Sequence, residues 1–149
     1  MVTARQQLGS FGEKCVVEDC SCPRCKQAGT FIRLPQNFKC ADIICDFCGY
    51  LAQVKAATTD DIAAIPSKVL GAAWGPQKAR MDAAIYFPLY LVLVANRPLS
   101  YAIYFLAADL QEPSIFVPRK PLSVRARRAG WQGFLYDLTR IKQRFVRLR

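Results

Sequence analysis

Residues 41–55 read Ala-Asp-Ile-Ile-Cys-Asp-Phe-Cys-Gly-Tyr-Leu-Ala-Gln-Val-Lys. Ala41 to Cys45 and Tyr50 to Ala56 are apolar stretches on either side of a Cys-Asp-Phe-Cys-Gly turn, so they predict two strands of a hairpin with a cysteine knuckle at its tip. A second knuckle, Cys22-Pro23-Arg24-Cys25, lies upstream and completes the pattern C-x₂-C-x₁₉-C-x₂-C. That spacing suits a four-thiolate zinc site. Each short turn lets two sulfurs approach one ion, and four thiolates close the tetrahedron with no position left for substrate, so the expected Zn²⁺ at Cys22, Cys25, Cys45 and Cys48 is structural. The competing reading is a set of reduced core cysteines. Cys15, Cys20 and Cys40 read as small buried apolar residues, with Cys20 close enough to compete with Cys22 as a ligand.

The same hairpin carries three polar residues in an Asp-x₁₀-Gln-x-Lys pattern. Gln53 and Lys55 are two apart on a strand and therefore point to one face, with Asp42 on the neighbouring strand. Phosphodiester hydrolysis needs a divalent cation to stabilise charge on the phosphate and acidify a water, and a nearby ammonium can orient that water. Asp42 is a candidate ligand of that cation, the Gln53 amide oxygen a second, and Lys55 the ammonium. Ordinary solvent-facing strand polarity is the alternative.

Working outward, Thr3 to about Asp19 predicts an opening helix, with Leu8, Phe11, Cys15 and Val16 near one face. Thr30 to Leu34 reads as a short strand ended by Pro35. Lys68 to Met81 predicts a helix, with the Gly75-Pro76 pair placed to split it. Ala83 to Ala95 and Tyr101 to Ala108 predict two buried strands joined by a turn; an apolar run of 13 residues interrupted by Pro88 is too short to span a bilayer. The expectation is an α/β (α+β) chain with a central mixed β-sheet flanked by helices, forming one domain over residues 1–149 with a zinc insert at about 20–48.

The 149 residues include seven cysteines, no histidine, and 21 Lys+Arg against 11 Asp+Glu, for a net charge of +10. Without histidine there is no Ser-His-Asp or Cys-His unit, no Cys₂His₂ finger and no His-Glu-x-x-His protease. The odd cysteine count and absence of a signal-peptide pattern point to a cytoplasmic, nucleoid-associated protein rather than a secreted disulfide scaffold. The charge is concentrated: residues 119–149 hold ten Lys/Arg and one acid, Asp137. Trp131, Phe134 and Tyr136 interleave there with Arg125, Arg127, Arg128 and Arg140. Arginines contact phosphates and aromatic rings stack on bases, so this segment predicts a polyanion surface, a solvated basic helix face or a loose tail being the alternative.

Cys22-Pro23-x-Cys25, Ala41-Asp42, Cys45-x-x-Cys48, Val54-Lys55 and above all Ala126-Arg127-Arg128-Ala129-Gly130-Trp131 followed by Asp137-Leu138 occur in one order along about Cys22 to Leu138. In this the chain resembles the catalytic domain of the DpnI family of methyl-directed restriction endonucleases, within the wider PD-(D/E)xK nuclease fold. The resemblance implies a zinc site at the four knuckle cysteines and a Mg²⁺-dependent catalytic centre at Asp42, position 53 and Lys55. It also implies double-stranded, adenine-methylated DNA as substrate; the expected DNA contacts are Arg125, Arg127, Arg128 and Trp131, with Trp131 as a plug of the core the alternative. Where the family pattern has Glu, position 53 is Gln, which removes one negative charge from the metal site. Glu13 on the opening helix is the expected supporting carboxylate, with Asp46 the alternative. The rival expectation is a zinc-containing DNA-binding protein of the same fold that does not cut. A ribosomal or RNA-binding zinc ribbon would leave the Arg-Arg-Ala-Gly-Trp string unexplained.

Overall fold

The Thr3 hydroxyl accepts the Gln6 N–H at 3.2 Å, and the Gln6 side-chain oxygen accepts the Thr3 N–H at 2.8 Å. This reciprocal pairing satisfies two donors that a helix start leaves free. In the computed structural model, which describes residues 1–149, the helix so capped, α1, spans Ala4–Asp19 and stops where Cys20 turns extended. The chain continues through β1 (Phe31–Arg33), β2 (Ile43–Cys45), β3 (Leu51–Thr58), β4 (Lys68–Ala73), α2 (Trp74–Asp82), β5 (Leu89–Asn96), β6 (Leu99–Leu106), β7 (Phe116–Pro118), β8 (Gly133–Asp137) and β9 (Val146–Arg147).

Six strands form a mixed sheet in the order β1-β2-β3-β5-β6-β9. Its one parallel pair is β3 with β5, in the register Gln53↔Leu89 and Lys55↔Leu91; every other neighbour is antiparallel. Parallel strands need a long crossover, and β4 with α2 supply it. β4, β8 and β7 form a second, antiparallel sheet.

β5 is buried on both faces, which accounts for its unbroken apolar run. Alternation along it divides the core in two. Tyr90, Val92 and Val94 pack with Cys15, Val16, Ile43 and Val54 under α1 and the knuckles, whereas Leu89, Leu91 and Leu93 pack with Phe116, Phe134 and Tyr136 of the second sheet and with Leu138 just beyond it. α1 lies very close to β3 because residue 12 is glycine: a Cβ there would stand 2.8 Å from the Ala56 Cβ. That approach brings Glu13 to the hairpin.

The architecture is α+β with a mixed sheet, and five readings need correction. α1 covers one face of the large sheet, but the other face is covered by the three-stranded sheet rather than by a helix. Lys68 to Met81 is not one helix: Lys68 to Ala73 is β4, paired with β8, and Gly71 leaves room for the Phe134 ring, which a Cβ would meet at 2.5 Å. Gly75-Pro76 does not split α2 but lies in its first turn, where a missing N–H is tolerated. Ala83 to Phe87 precede β5 instead of belonging to it. The basic C-terminal segment is neither a helix nor a loose tail, since it supplies β8 and β9. No helix is long and apolar enough to cross a membrane.

Candidate metal centre and catalytic cavity

The two knuckles fold alike. Lys26 N–H bonds to Cys22 O at 2.9 Å and Gly49 N–H to Cys45 O at 2.8 Å, and the residue after each second cysteine takes a left-handed conformation, Lys26 with φ 65° and Gly49 with φ 78°. Glycine adopts that geometry without a side-chain clash, and lysine accepts strain there. The four sulfurs consequently converge: Cys22, Cys25, Cys45 and Cys48 lie within 4.8 Å of one another. The Cys22–Cys48 and Cys25–Cys45 separations are 3.6 and 3.7 Å. A tetrahedron of sulfurs at about 2.3 Å from zinc has edges of about 3.8 Å, so the cluster can hold a metal such as zinc. Burial disfavours the Cys45 thiolate, but Thr30, whose hydroxyl is 3.1 Å from its sulfur, the Cys48 and Phe47 N–H groups and Cys25 outweigh that effect and bring its pKa down to about 6. Cys20 is buried but outside the cluster. Cys40 departs from expectation: it is half-buried, with φ 64°.

A cavity of about 210 Å³ lies beside the hairpin, lined by Asp42, Gln53, Lys55, Cys40, Gln77 and Phe134 among others. Asp42, expected on the first strand of the hairpin, lies one residue before β2, and the pairing of β2 with β3 places it against β3: its backbone N–H bonds to Ala52 O at 2.9 Å and its Oδ2 accepts the Val54 N–H at 2.7 Å. Oδ1 has no such partner. Burial raises the Asp42 carboxyl above the usual carboxylate range, against the Val54 N–H, Lys55 and Arg33, which favour the ion. Burial likewise holds the Lys55 ammonium below its usual range, against Asp42, Cys40 and Glu13.

Gln53 is 7% exposed, and its Oε1 accepts a short hydrogen bond from the buried Tyr136 phenol. The phenol fixes the orientation of the amide, because a reversed amide would present N–H groups to it and leave its own proton without an acceptor. Oε1 retains a second lone pair. Oxygen donors from a carboxylate and an amide are the hard ligands that suit Mg²⁺.

Glu13 stands across Asp42 from this cavity, in a groove shared with Ser10, Arg33 and Gln36. Its carboxylate pairs with Arg33 at 2.5 Å, and Arg33 also donates to the Ser10 hydroxyl at 3.0 Å. Burial raises the Glu13 carboxyl, with the Arg33 hydrogen bond opposing. Arg33 thus occupies the acid expected to support the metal site. Asp46 is exposed within the knuckle.

The Ala-Arg-Arg-Ala-Gly-Trp string forms an exposed loop between β7 and β8. Its base is closed by Gly130 N–H to Leu122 O at 2.9 Å and Leu122 N–H to Trp131 O at 2.8 Å. Arg125, Arg127 and Arg128 are exposed; Trp131 is half-buried, with the Arg128 guanidinium 4.5 Å from its ring. Phe134 and Tyr136 correct the earlier reading, since both are 1% exposed in the core and unavailable to bases. Sequence reasoning missed Arg33, Gln77 and the role of Tyr136. Only the last carried a signal, the alternation of Phe134 and Tyr136 along a strand.

A family model described as "DpnI: Dam-replacing family" matches residues 2–146. No curated protein matches the chain.

Proposed function

The chain belongs to the DpnI: Dam-replacing family, and from that premise we propose that it is a Mg²⁺-dependent endonuclease of the PD-(D/E)xK fold that hydrolyses phosphodiester bonds of double-stranded, adenine-methylated DNA. The observation that carries the reading is the cavity that gathers Asp42, Gln53 and Lys55 beside a sulfur cluster built into the same hairpin. Packing of α1 on β3, with Glu13 brought to the hairpin, supports the fold assignment.

In this reading zinc at the four cysteines locks the hairpin, and Asp42 with the Gln53 amide oxygen would hold Mg²⁺, which supplies charge stabilisation on the phosphate and a more acidic water. The Asp42 carboxylate, held by the Val54 N–H, keeps its orientation while the cavity fills. Lys55 Nζ donates to a phosphate oxygen or to the attacking water, and its burial concentrates the charge on the reacting group rather than on solvent. Arg125, Arg127 and Arg128 neutralise backbone phosphates, and Trp131, stiffened by Arg128, presents an aromatic face to the duplex.

The neutral Gln53 and the Arg33 clamp on Glu13 support a second reading, a zinc-containing DNA-binding protein that does not cut. Incubation with Mg²⁺ and matched adenine-methylated and unmethylated plasmids separates the two. The nuclease reading requires cleavage of the methylated plasmid by the wild type and its loss in Lys55→Ala. Cleavage by neither protein, with activity appearing in Gln53→Glu, would establish the second reading.

A further inference from the structure

The cavity beside Asp42 is walled on another side by Ala72, Ala73, Pro76 and Gln77, the end of β4 and the first turn of α2. No side chain caps that nine-residue helix and its first turn contains no acid. Pro76 contributes no N–H. The positive end of the helix therefore meets the cavity without a compensating negative group of its own.

Gln77 supplies an independent indication. It is 5% exposed, and the side-chain hydrogen bonds made from α2 are those of Lys78 to Asp82 and of Arg80 to Pro76 O, neither involving Gln77. Its amide is not sealed either, because the Tyr90 oxygen is the single fully buried side-chain polar atom lacking a partner. A nearly buried amide without a protein partner, lining a cavity, has its remaining access through that cavity. Lys39 and Lys55 line the same space, against one carboxylate, Asp42. An uncapped helix start, an unclaimed amide and two ammonium groups are the donors that recognise a phosphate oxygen.

We infer that the start of α2, with Gln77, is a seat for a DNA phosphate adjoining Asp42, Gln53 and Lys55. Gln77 donates its side-chain N–H groups to a non-bridging oxygen, and the helix start supplies the positive field. The seat is coupled to the basic loop: Trp74 N–H bonds to Gln132 O at 2.9 Å, so the helix that would grip one phosphate is tied to the residue following Trp131. The inference rests on the nuclease reading only in naming the anion as a DNA phosphate.

Ala73 occupies the N-cap with φ −65° and ψ 131°, an extended conformation in which aspartate caps well. Ala73→Asp should therefore hold or raise thermal stability while placing a carboxylate where the phosphate would sit. The assay is fluorescence anisotropy of a labelled, adenine-methylated duplex with the full-length, zinc-loaded protein in low salt without Mg²⁺. Ala73→Asp and Gln77→Ala should each weaken binding by about tenfold or more, the scale of one lost hydrogen bond to a charged group, with unfolding temperatures at or above wild type for Ala73→Asp. Wild-type affinity in both folded variants overturns the inference. Should Ala73→Asp fold poorly, Gln77→Ala and Gln77→Met decide the matter by the same ratio. A wild type that binds the duplex but never cuts it with Mg²⁺ sinks the cleavage proposal while the affinity ratios still judge the phosphate seat; a wild type that binds no duplex sinks both.

Discussion

Tyr136→Phe removes one oxygen atom from the second sheet and tests how the Gln53 amide on β3 is held. The Tyr136 side chain is 1% exposed and Gln53 is 7% exposed, so the substitution takes from Gln53 Oε1 the donor on its buried side. Such an orphaned acceptor costs about 1–3 kcal/mol. For a chain of this size each kcal/mol lowers the unfolding temperature by about 2–4 °C, so the expected fall is about 2–12 °C. Gln53→Leu combined with Tyr136→Phe removes both ends of the bond, and the pair should cost less than the two single changes together, with a coupling of about 0.5–3 kcal/mol. The assay is urea unfolding of the four proteins with zinc present, followed by Mg²⁺ titration of cleavage for wild type and Tyr136→Phe. An amide freed from the phenol spends less time aimed at the metal, so the Mg²⁺ midpoint should rise in Tyr136→Phe. Additive stabilities within experimental error together with an unchanged Mg²⁺ midpoint would refute the claim that the phenol positions Gln53.

Native mass spectrometry should find one zinc per chain, and Cys45→Ser should lose it together with much of the thermal stability, because the cluster ties β2 and β3 to the upstream knuckle. Replacing Arg125, Arg127 and Arg128 by alanine should flatten the slope of log affinity against log salt by about 2–3 units; an unchanged slope would remove the loop from the DNA interface. Burial depresses the pKa of Lys55, so the folded protein binds fewer protons there than the unfolded chain, and stability rises with pH from the lowered folded pKa up to the ordinary lysine range. Lys55→Met should abolish that alkaline gain in urea midpoints. Asp42 and Glu13 run the other way: their carboxyls are raised, so their contribution is fully present below the ordinary carboxylate range and is lost as pH rises towards their folded pKa values. Asp42→Asn should shrink this decline.

The hairpin, α1 and the four cysteines could be read from sequence because each rests on short-range rules: knuckle spacing, the apolar face of Leu8, Phe11, Cys15 and Val16, a polar pair two residues apart. β5 and β6 announced themselves by apolar runs around a turn. β4 could not be read in the same way. Its strand character depends on β8, with Val69 opposite Tyr136, and no local pattern in Val69 to Ala73 reports a partner so distant in sequence. The same long-range pairing turned Phe134 and Tyr136 from expected base-stacking residues into core. Arg33 was invisible because a lone arginine on a three-residue strand carries no periodicity, and its meeting with Glu13 depends on how closely Gly12 lets α1 lie on β3. Gln77 was hidden because the helix was expected to begin at Lys68, whereas it begins at Trp74 and puts Gln77 in its first turn.

The loop from Leu122 to Trp131 is closed on itself at its base by two backbone bonds, whereas Gln53 and Lys55 stand on an interior strand bonded on both sides. Amide exchange should therefore separate these regions, with the loop opening at small free energy and β3 exchanging through global unfolding. This division has an evolutionary consequence. Substitutions or insertions in the loop can be absorbed without disturbing the strand that carries Gln53 and Lys55, so under the proposed function target preference can drift among descendants of this chain while the Asp42–Gln53–Lys55 cavity stays fixed.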